Sequence, residues 1–320
     1  MPDSFPPARP TLPIDPAKFK DPAVTADGSA RAVVPLDGLT TLWFNTGTLC
    51  NIACANCYID SSPTNDQLEY LPLADVRMKL DEIRADGLPV TEIGLTGGEP
   101  FMNPDILAML ALILDRGFKC LVLTNAMRPM QRHFEALRGL IDAYPGQMTL
   151  RVSLDHYTSE LHQAVRGANT WAPAIRGLRQ LAATGCGLHV AGRLCWDEAE
   201  AEARAGFGGL FKQLDLAIDA ENPAELVLFP EMDAAVDVPE ITTACWGILD
   251  IAPSSVMCAS QRMVVKHKGR DRASVVACTL IPYDPAFDLG ATLAEAARPV
   301  ALNHPHCARF CVLGGASCTG

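Results

Sequence analysis

LTTLWFNTGTLCNIACANCY, residues Leu39 to Tyr58, joins two unlike segments. Leu39–Asn45 has the length and composition of a buried strand. Directly after it, Cys50, Cys54 and Cys57 are spaced C-x3-C-x2-C, with no fourth cysteine or histidine close behind. Tetrahedral zinc and a complete iron–sulfur cluster each normally take four protein ligands. A strand running into three cysteines therefore predicts a metal centre whose fourth position is open or filled from a distance.

The pattern of strand and polar loop repeats outward from this stretch. Val90–Thr96 reads as a second strand and runs into TGGEP, Thr96–Pro100. Phe118–Thr124 is a third, followed by TNAM, Thr124–Met127. Met148–Leu154 is a fourth, with Ser153 and Asp155 at its end, and Gly187–Leu194 and Glu225–Phe229 complete six. Helical segments fall between them. Leu73, Val76, Leu80 and Ile83 have helical spacing, with Gly87 as a stop. Asn103 as cap and Pro104 at the first helical position open a helix to Gly117, and another covers Met130 to Ala143. Strand alternating with helix predicts an α/β fold of parallel strands joined by right-handed crossovers, an open sheet or a full or partial barrel. In either, ligands bind at the C-terminal ends of the strands. The unusual loops all follow strands, so four consecutive strands would deliver chemistry to one rim.

Composition narrows the function. The 320 residues allow one large domain or one with an appendage, and 49% are apolar. A net charge of −11 argues against phosphate-backbone binding, and so against nucleic acid as partner. The longest apolar run, Ile106–Leu114, is too short to span a bilayer, so no membrane association is expected. Residues 1–38 read as a proline-rich lead-in without the apolar stretch of a signal peptide, which predicts a cytoplasmic protein. Twelve cysteines in a reducing compartment are metal ligands or catalytic thiols before they are disulfides.

C-x3-C-x2-C after the first strand, with GGEP after the second, resembles the radical S-adenosylmethionine (SAM) superfamily from Leu39 to Phe229. The resemblance implies a partial (β/α)6 TIM-like barrel over 39–235. It implies that Cys50, Cys54 and Cys57 hold a catalytic [4Fe–4S] cluster whose fourth iron takes SAM. It also implies reductive cleavage of SAM to a 5′-deoxyadenosyl radical that abstracts hydrogen from substrate, with the electron supplied by a donor such as flavodoxin or ferredoxin. Gly97, Gly98 and Glu99 match the stretch that receives the SAM amino group, and glycines permit close backbone approach. Ser153, Asp155, Arg166 and Asn125 match further cofactor-binding positions. Asn56 stands where relatives commonly carry an aromatic residue, and Tyr58 lies on the other side of Cys57. Cys120, Cys186 and Cys195 read as small apolar residues in or beside strands. His156 and His162 fall near the rim and read as packing or surface residues.

After Phe229 the pattern changes. Cys258 and Cys278 flank RMVVK and ASVVAC, which read as a β-hairpin, and Cys307, Cys311 and Cys318 follow as C-x3-C-x6-C. Structural zinc is one reading, with His304 and His306 as further donors. The arrangement of 236–320 also resembles the SPASM or twitch extensions of radical SAM enzymes, which implies an auxiliary [4Fe–4S] cluster. The favoured ligands under that resemblance are Cys258, Cys278, Cys311 and Cys318, with Cys307 as spare, as substrate ligand or as a replacement for one of them, and Cys245 a further candidate nearby. The expectation is thus a radical SAM oxidoreductase or maturase acting on a peptide or small molecule, by oxidation or cross-linking. Methyl transfer or epimerisation on the same core is the alternative, and a zinc-stabilised α/β binding protein without turnover is the alternative of another class.

Overall fold

The computed structural model describes residues 12–315. In chain order its elements are β1 (Val33–Val34), β2 (Thr41–Asn45), α1 (Leu73–Ala85), β3 (Glu92–Thr96), α2 (Ile106–Asp115) and β4 (Lys119–Thr124). Next come α3 (Arg128–Arg132), α4 (Phe134–Ala143), β5 (Met148–Ser153), α5 (Ser159–Arg166), α6 (Trp171–Ala182) and β6 (Gly187–Leu194). The chain continues with α7 (Glu200–Leu214), β7 (Leu226–Pro230), α8 (Cys245–Leu249), β8 (Gln261–Val265), β9 (Ser274–Val276) and β10 (Val300–Ala301).

All six expected strands form, and they are parallel neighbours in the order β7-β6-β5-β4-β3-β2. Every residue of β2 is buried, polar Thr41 and Asn45 included, as in a strand covered on both faces. The expected hairpin forms as β8 and β9, but not apart from the core. β8 lies parallel to β2, Thr41 opposite Gln261 through Phe44 opposite Val264, and β9 adds antiparallel to it. The sheet therefore has eight strands, with β7 and β9 at its edges.

Trp43 explains part of this order. Its indole Nε1 donates to Gln261 Oε1 at 2.9 Å, tying β2 to β8. On the other side its ring lies over Gly94 of β3, where an added Cβ would be 2.2 Å away. The glycine in that buried strand thus makes room for the tryptophan of its neighbour.

Two helix boundaries differ from expectation. α2 begins at Ile106 rather than Pro104; Asn103 Oδ1 accepts from Asp105 N at 2.8 Å ahead of it, while its Nδ2 donates to Thr46 O (2.9 Å) and Leu71 O (3.0 Å). The single helix expected over Met130–Ala143 is two, α3 and α4, broken at His133. The lead-in is held by Arg31, which is 2% exposed. Its guanidinium pairs with Glu240 at 2.5 Å and donates to the carbonyls of Asp21, Val24 and Leu302. One side chain therefore fastens the lead-in to segments 200 residues away, and β1 pairs with β10 beside it. Among the described residues, no helix is long and apolar enough to cross a membrane.

Candidate active site

The loops after β2 and β3 lie against each other. Gly98 N donates to Gly47 O at 2.8 Å, Glu99 N to Leu49 O at 3.2 Å and Thr46 N to Thr96 O at 2.8 Å. A Cβ on Gly98 would stand 2.3 Å from Leu49 O, and one on Gly97, at φ +139°, 2.5 Å from Gly47 O. The paired glycines thus allow the cysteine loop to bond directly to the GGE turn. Further along the loop, Ala55 N donates to Val165 O of α5 at 2.8 Å, and Asn56 sits at φ +55°. Arg193, at the end of β6, donates to Ala55 O (3.5 Å) and Asn56 O (3.1 Å).

The result is one cavity at the C-terminal ends of β3 to β7. Cys50, Cys54 and Cys57 line it together with Gly97, Gly98, Asn125, Ser153, Asp155 and Arg166. Arg166 and Asp155 make a two-armed pair, Nε to Oδ2 at 2.8 Å and Nη2 to Oδ1 at 3.1 Å. Burial works against the Arg166 charge, but Asp155 and Cys54 more than offset it and keep its pKa raised. Glu99 is placed differently. It does not line the cavity; its carboxylate, 1% exposed, accepts from Thr124 Oγ1 and Asn125 N, each at 2.8 Å. Burial pushes its pKa up to about 7.

The thiols fit a metal–sulfur group. Burial pushes Cys50 up to about 12 and raises Cys54, with the neighbouring anions adding to both. Such thiols become good ligands once a cation offsets their charge. Asn125 Nδ2 lies 3.9 Å from Cys50 Sγ, a donor placed for a thiolate. Among the described residues, no three His, Cys, Asp or Glu side chains converge on a single ion. A four-iron cluster binds each thiolate to a different iron and takes ligands set further apart.

A second, smaller cavity holds Cys258, Cys278, Cys307 and Cys311, with His306 and an apolar shell of Leu280, Phe287, Val300 and Leu302. Cys307 and Cys311 come from one π-helical turn, Cys307–Val312. Burial raises all four thiols, and each of Cys258, Cys307 and Cys311 is raised further by the other cysteines. Cys318 lies outside the described residues. Cys245 is not in this cavity; its sulfur accepts from Thr242 N at 3.3 Å.

Several lining residues carried no assignment from sequence. Arg151 lies inside the apolar strand β5, buried, and lines the main cavity with Arg193. A charge within a buried strand was the available signal. Leu280 and Phe310 of the cysteine-rich segment line the same cavity, which no local pattern indicates. Cys120 is buried in β4, while Cys186 and Cys195 are half-buried. His156 and His162 are both buried; His156 lies 3.4 Å from Glu198 and stacks on Tyr157.

The sequence model of the radical SAM superfamily matches residues 44–195. The chain is 28% identical over 169 residues to the subtilosin biosynthesis protein AlbA of Bacillus subtilis, which covers 52% of this chain and 35% of AlbA. It is 30% identical over 150 residues to the mycofactocin maturase MftC of Mycobacterium ulcerans, 47% of this chain and 38% of MftC. The matched part thus spans little more than a third of these relatives. Among solved structures, Streptococcus suis SuiB bound to its precursor peptide SuiA superposes with a TM-score of 0.57 at 12% identity, covering 80% of this chain and 63% of SuiB. At that identity the likeness concerns the fold. The match over residues 44–195 takes in the three-cysteine loop and the glycine–glutamate turn, so this part of the chain is similar to the radical SAM superfamily, a family that implies a [4Fe–4S] cluster and SAM.

Proposed function

We propose that this protein is a radical SAM oxidoreductase that modifies a peptide, with one auxiliary [4Fe–4S] cluster beside its catalytic centre. Cys50, Cys54 and Cys57 hold the catalytic cluster, and Gly97, Gly98, Asn125, Ser153, Asp155 and Arg166 bind SAM in the cavity they share. Bound there, cluster and SAM would supply one-electron chemistry for removing hydrogen from a substrate. The chain's own residues orient and shield. The Asp155–Arg166 pair fixes two polar groups at the cavity wall. Glu99 acts from behind, holding the Thr124–Asn125 turn. Phe229, Pro230, Met232, Leu280 and Phe310 give the other wall an apolar surface that excludes water and suits an apolar side chain.

Cys258, Cys278, Cys307 and Cys311 hold the auxiliary cluster in this reading. The observation that carries it is Leu280, which lines both cavities, so the three-thiol and four-thiol sites share a wall residue. A centre so placed can accept the electron that turns hydrogen abstraction into net oxidation. We divide the chain into the lead-in 1–38, a partial-barrel core 39–235 and the cysteine-rich region 236–320, whose β8 and β9 extend the core sheet. The peptide substrate rests on relatives named for a bacteriocin and a maturase, and on SuiB's precursor-peptide complex.

The test is anaerobic reconstitution followed by iron, sulfide and 5′-deoxyadenosine analysis. About eight irons are expected per wild-type chain. About four should remain in Cys50→Ala/Cys54→Ala/Cys57→Ala, without SAM cleavage. Four in the wild type and none in that variant would remove the auxiliary cluster from the reading. Zinc without sulfide, and no SAM cleavage, would replace the reading with a zinc-stabilised binding protein.

A further inference from the structure

A separate cleft, sharing no lining residue with the main cavity, is formed by Asn51, Phe101, Arg128, Arg132 and His133 among others. Among the described residues no carboxylate lines it, although the chain carries 37 acidic against 26 basic residues. Arg128 and Arg132 are exposed, and neither has an ion-pair partner among the described residues. The nearest acid in sequence, Glu135, pairs with Arg138 instead, at 2.7 Å. The cleft is thus a basic patch on an acidic molecule.

Its floor reaches the three-cysteine loop. Asn51 follows Cys50 in the chain and accepts from Asn125 Nδ2 at 2.9 Å, the same amide that stands 3.9 Å from Cys50 Sγ. The cleft therefore approaches the proposed cluster ligands without entering the cavity that SAM and substrate would fill. A reductant docked there would leave the main cavity free for SAM and substrate.

The geometry points to this cleft as the docking site of an acidic one-electron carrier protein that reduces the cluster on Cys50, Cys54 and Cys57. The inference rests on that cluster assignment. At this step the carrier's reduced centre gives up one electron and the cluster gains it; no bond forms or breaks and no atom is transferred. Arg128 and Arg132 attract the carrier's acidic face, and His133, stacked on Phe101 with ring centroids 6.5 Å apart, forms part of the surface beneath. Charges at a rim act chiefly on association rate and its salt dependence.

The experiment compares the reconstituted full chain with Arg128→Glu/Arg132→Glu and Arg128→Lys/Arg132→Lys. Cluster bleaching is followed by stopped flow with two reductants, a fully reduced bacterial flavodoxin and dithionite. At low ionic strength the glutamate variant should be reduced by flavodoxin on the order of tenfold more slowly, with dithionite rates unchanged. The lysine variant should keep most of the wild-type rate, and added salt should slow the wild type far more than the glutamate variant. Unchanged flavodoxin rates in the glutamate variant would overturn the assignment. Equal losses with both reductants would also overturn it, as damage to the cluster site. Failure of the parent reading shows separately, as a wild-type chain with no dithionite-bleachable cluster.

Discussion

The side-chain amide of Asn125 stands 3.9 Å from Cys50 Sγ. An N–H aimed at a cluster thiolate stabilises the reduced state, which carries more negative charge on sulfur. Removing it should lower the potential. A hydrogen bond of roughly 1 kcal/mol corresponds to about 40 mV for one electron. Asn125→Ala should therefore shift the catalytic cluster downward by tens of millivolts in an EPR-monitored titration. An unchanged or raised potential would show that this amide does not act on the cluster.

Gly98 and Gly117 separate steric need from backbone strain. A Cβ at Gly98 meets backbone on the cysteine loop, Leu49 O at 2.3 Å and Thr48 O at 2.7 Å. At Gly117 the φ is +82° and nothing lies within 4 Å. Gly98→Ala forces the two loops apart and should destabilise by about 1–3 kcal/mol, with less iron bound. Gly117→Ala should cost about 1–2 kcal/mol through its left-handed backbone and leave iron content intact. Urea unfolding and iron analysis of both variants read the difference. Equal iron in the two would mean the loop contact does not shape the cysteine site.

His162 predicts an acid limb of stability. It is fully buried, its ring nitrogens have no hydrogen-bond partner among the described residues, and it packs edge-on to Trp171 at 5.4 Å. Burial, and then the Arg166 charge, lower its pKa from 6.5 to about 3. The unfolded chain takes up this proton below pH 6.5 while the folded chain does not, so stability falls as pH drops from about 6.5 toward 3. At pH 5 the loss from this group alone is about 2 kcal/mol. His162→Phe removes the titration, and its stability should vary less between pH 7 and 5 than that of the wild type. Parallel curves for the two proteins would rule His162 out.

The parallel core was legible because β2 through β7 are local apolar runs separated by helices of ordinary length, and because polar loops follow strands on one rim. The pairing of β8 with β2 was not. Gln261 and Thr41 are joined across 220 residues, and only a buried hydrogen bond such as Trp43 to Gln261 encodes the neighbour. Within the site, cysteine spacing marked the three-cysteine loop, but the partner of the glycines was hidden. Sequence pointed Gly97 and Gly98 at a ligand, and the structure also sets them against the cysteine loop's own backbone. Glu99 read as a cavity residue because its neighbours are, whereas its carboxylate turns inward to Thr124 and Asn125. Spacing alone also could not bring Cys307 into the same cavity as Cys258 and Cys278, because that depends on the π-helical turn that aligns it with Cys311.

Leu280 tests whether the two cavities are separate compartments. Its backbone N donates to Cys278 Sγ at 3.4 Å, and Leu280 forms part of the wall of both the four-thiol pocket and the main cavity. Leu280→Ala keeps the backbone donor but removes that part of the wall, at about 2–5 kcal/mol if the space does not collapse. Leu280→Met conserves volume and should cost less than about 1.5 kcal/mol. In the Cys50→Ala/Cys54→Ala/Cys57→Ala background only the auxiliary cluster would remain to lose iron. Iron release to a chelator should then be severalfold faster with alanine and near the parent rate with methionine. The wall is apolar, so opening it admits water and chelator to a centre otherwise covered by Phe287, Val300 and Leu302. Equal release from alanine and parent proteins would mean that iron leaves by another path, and that Leu280 does not seal the pocket.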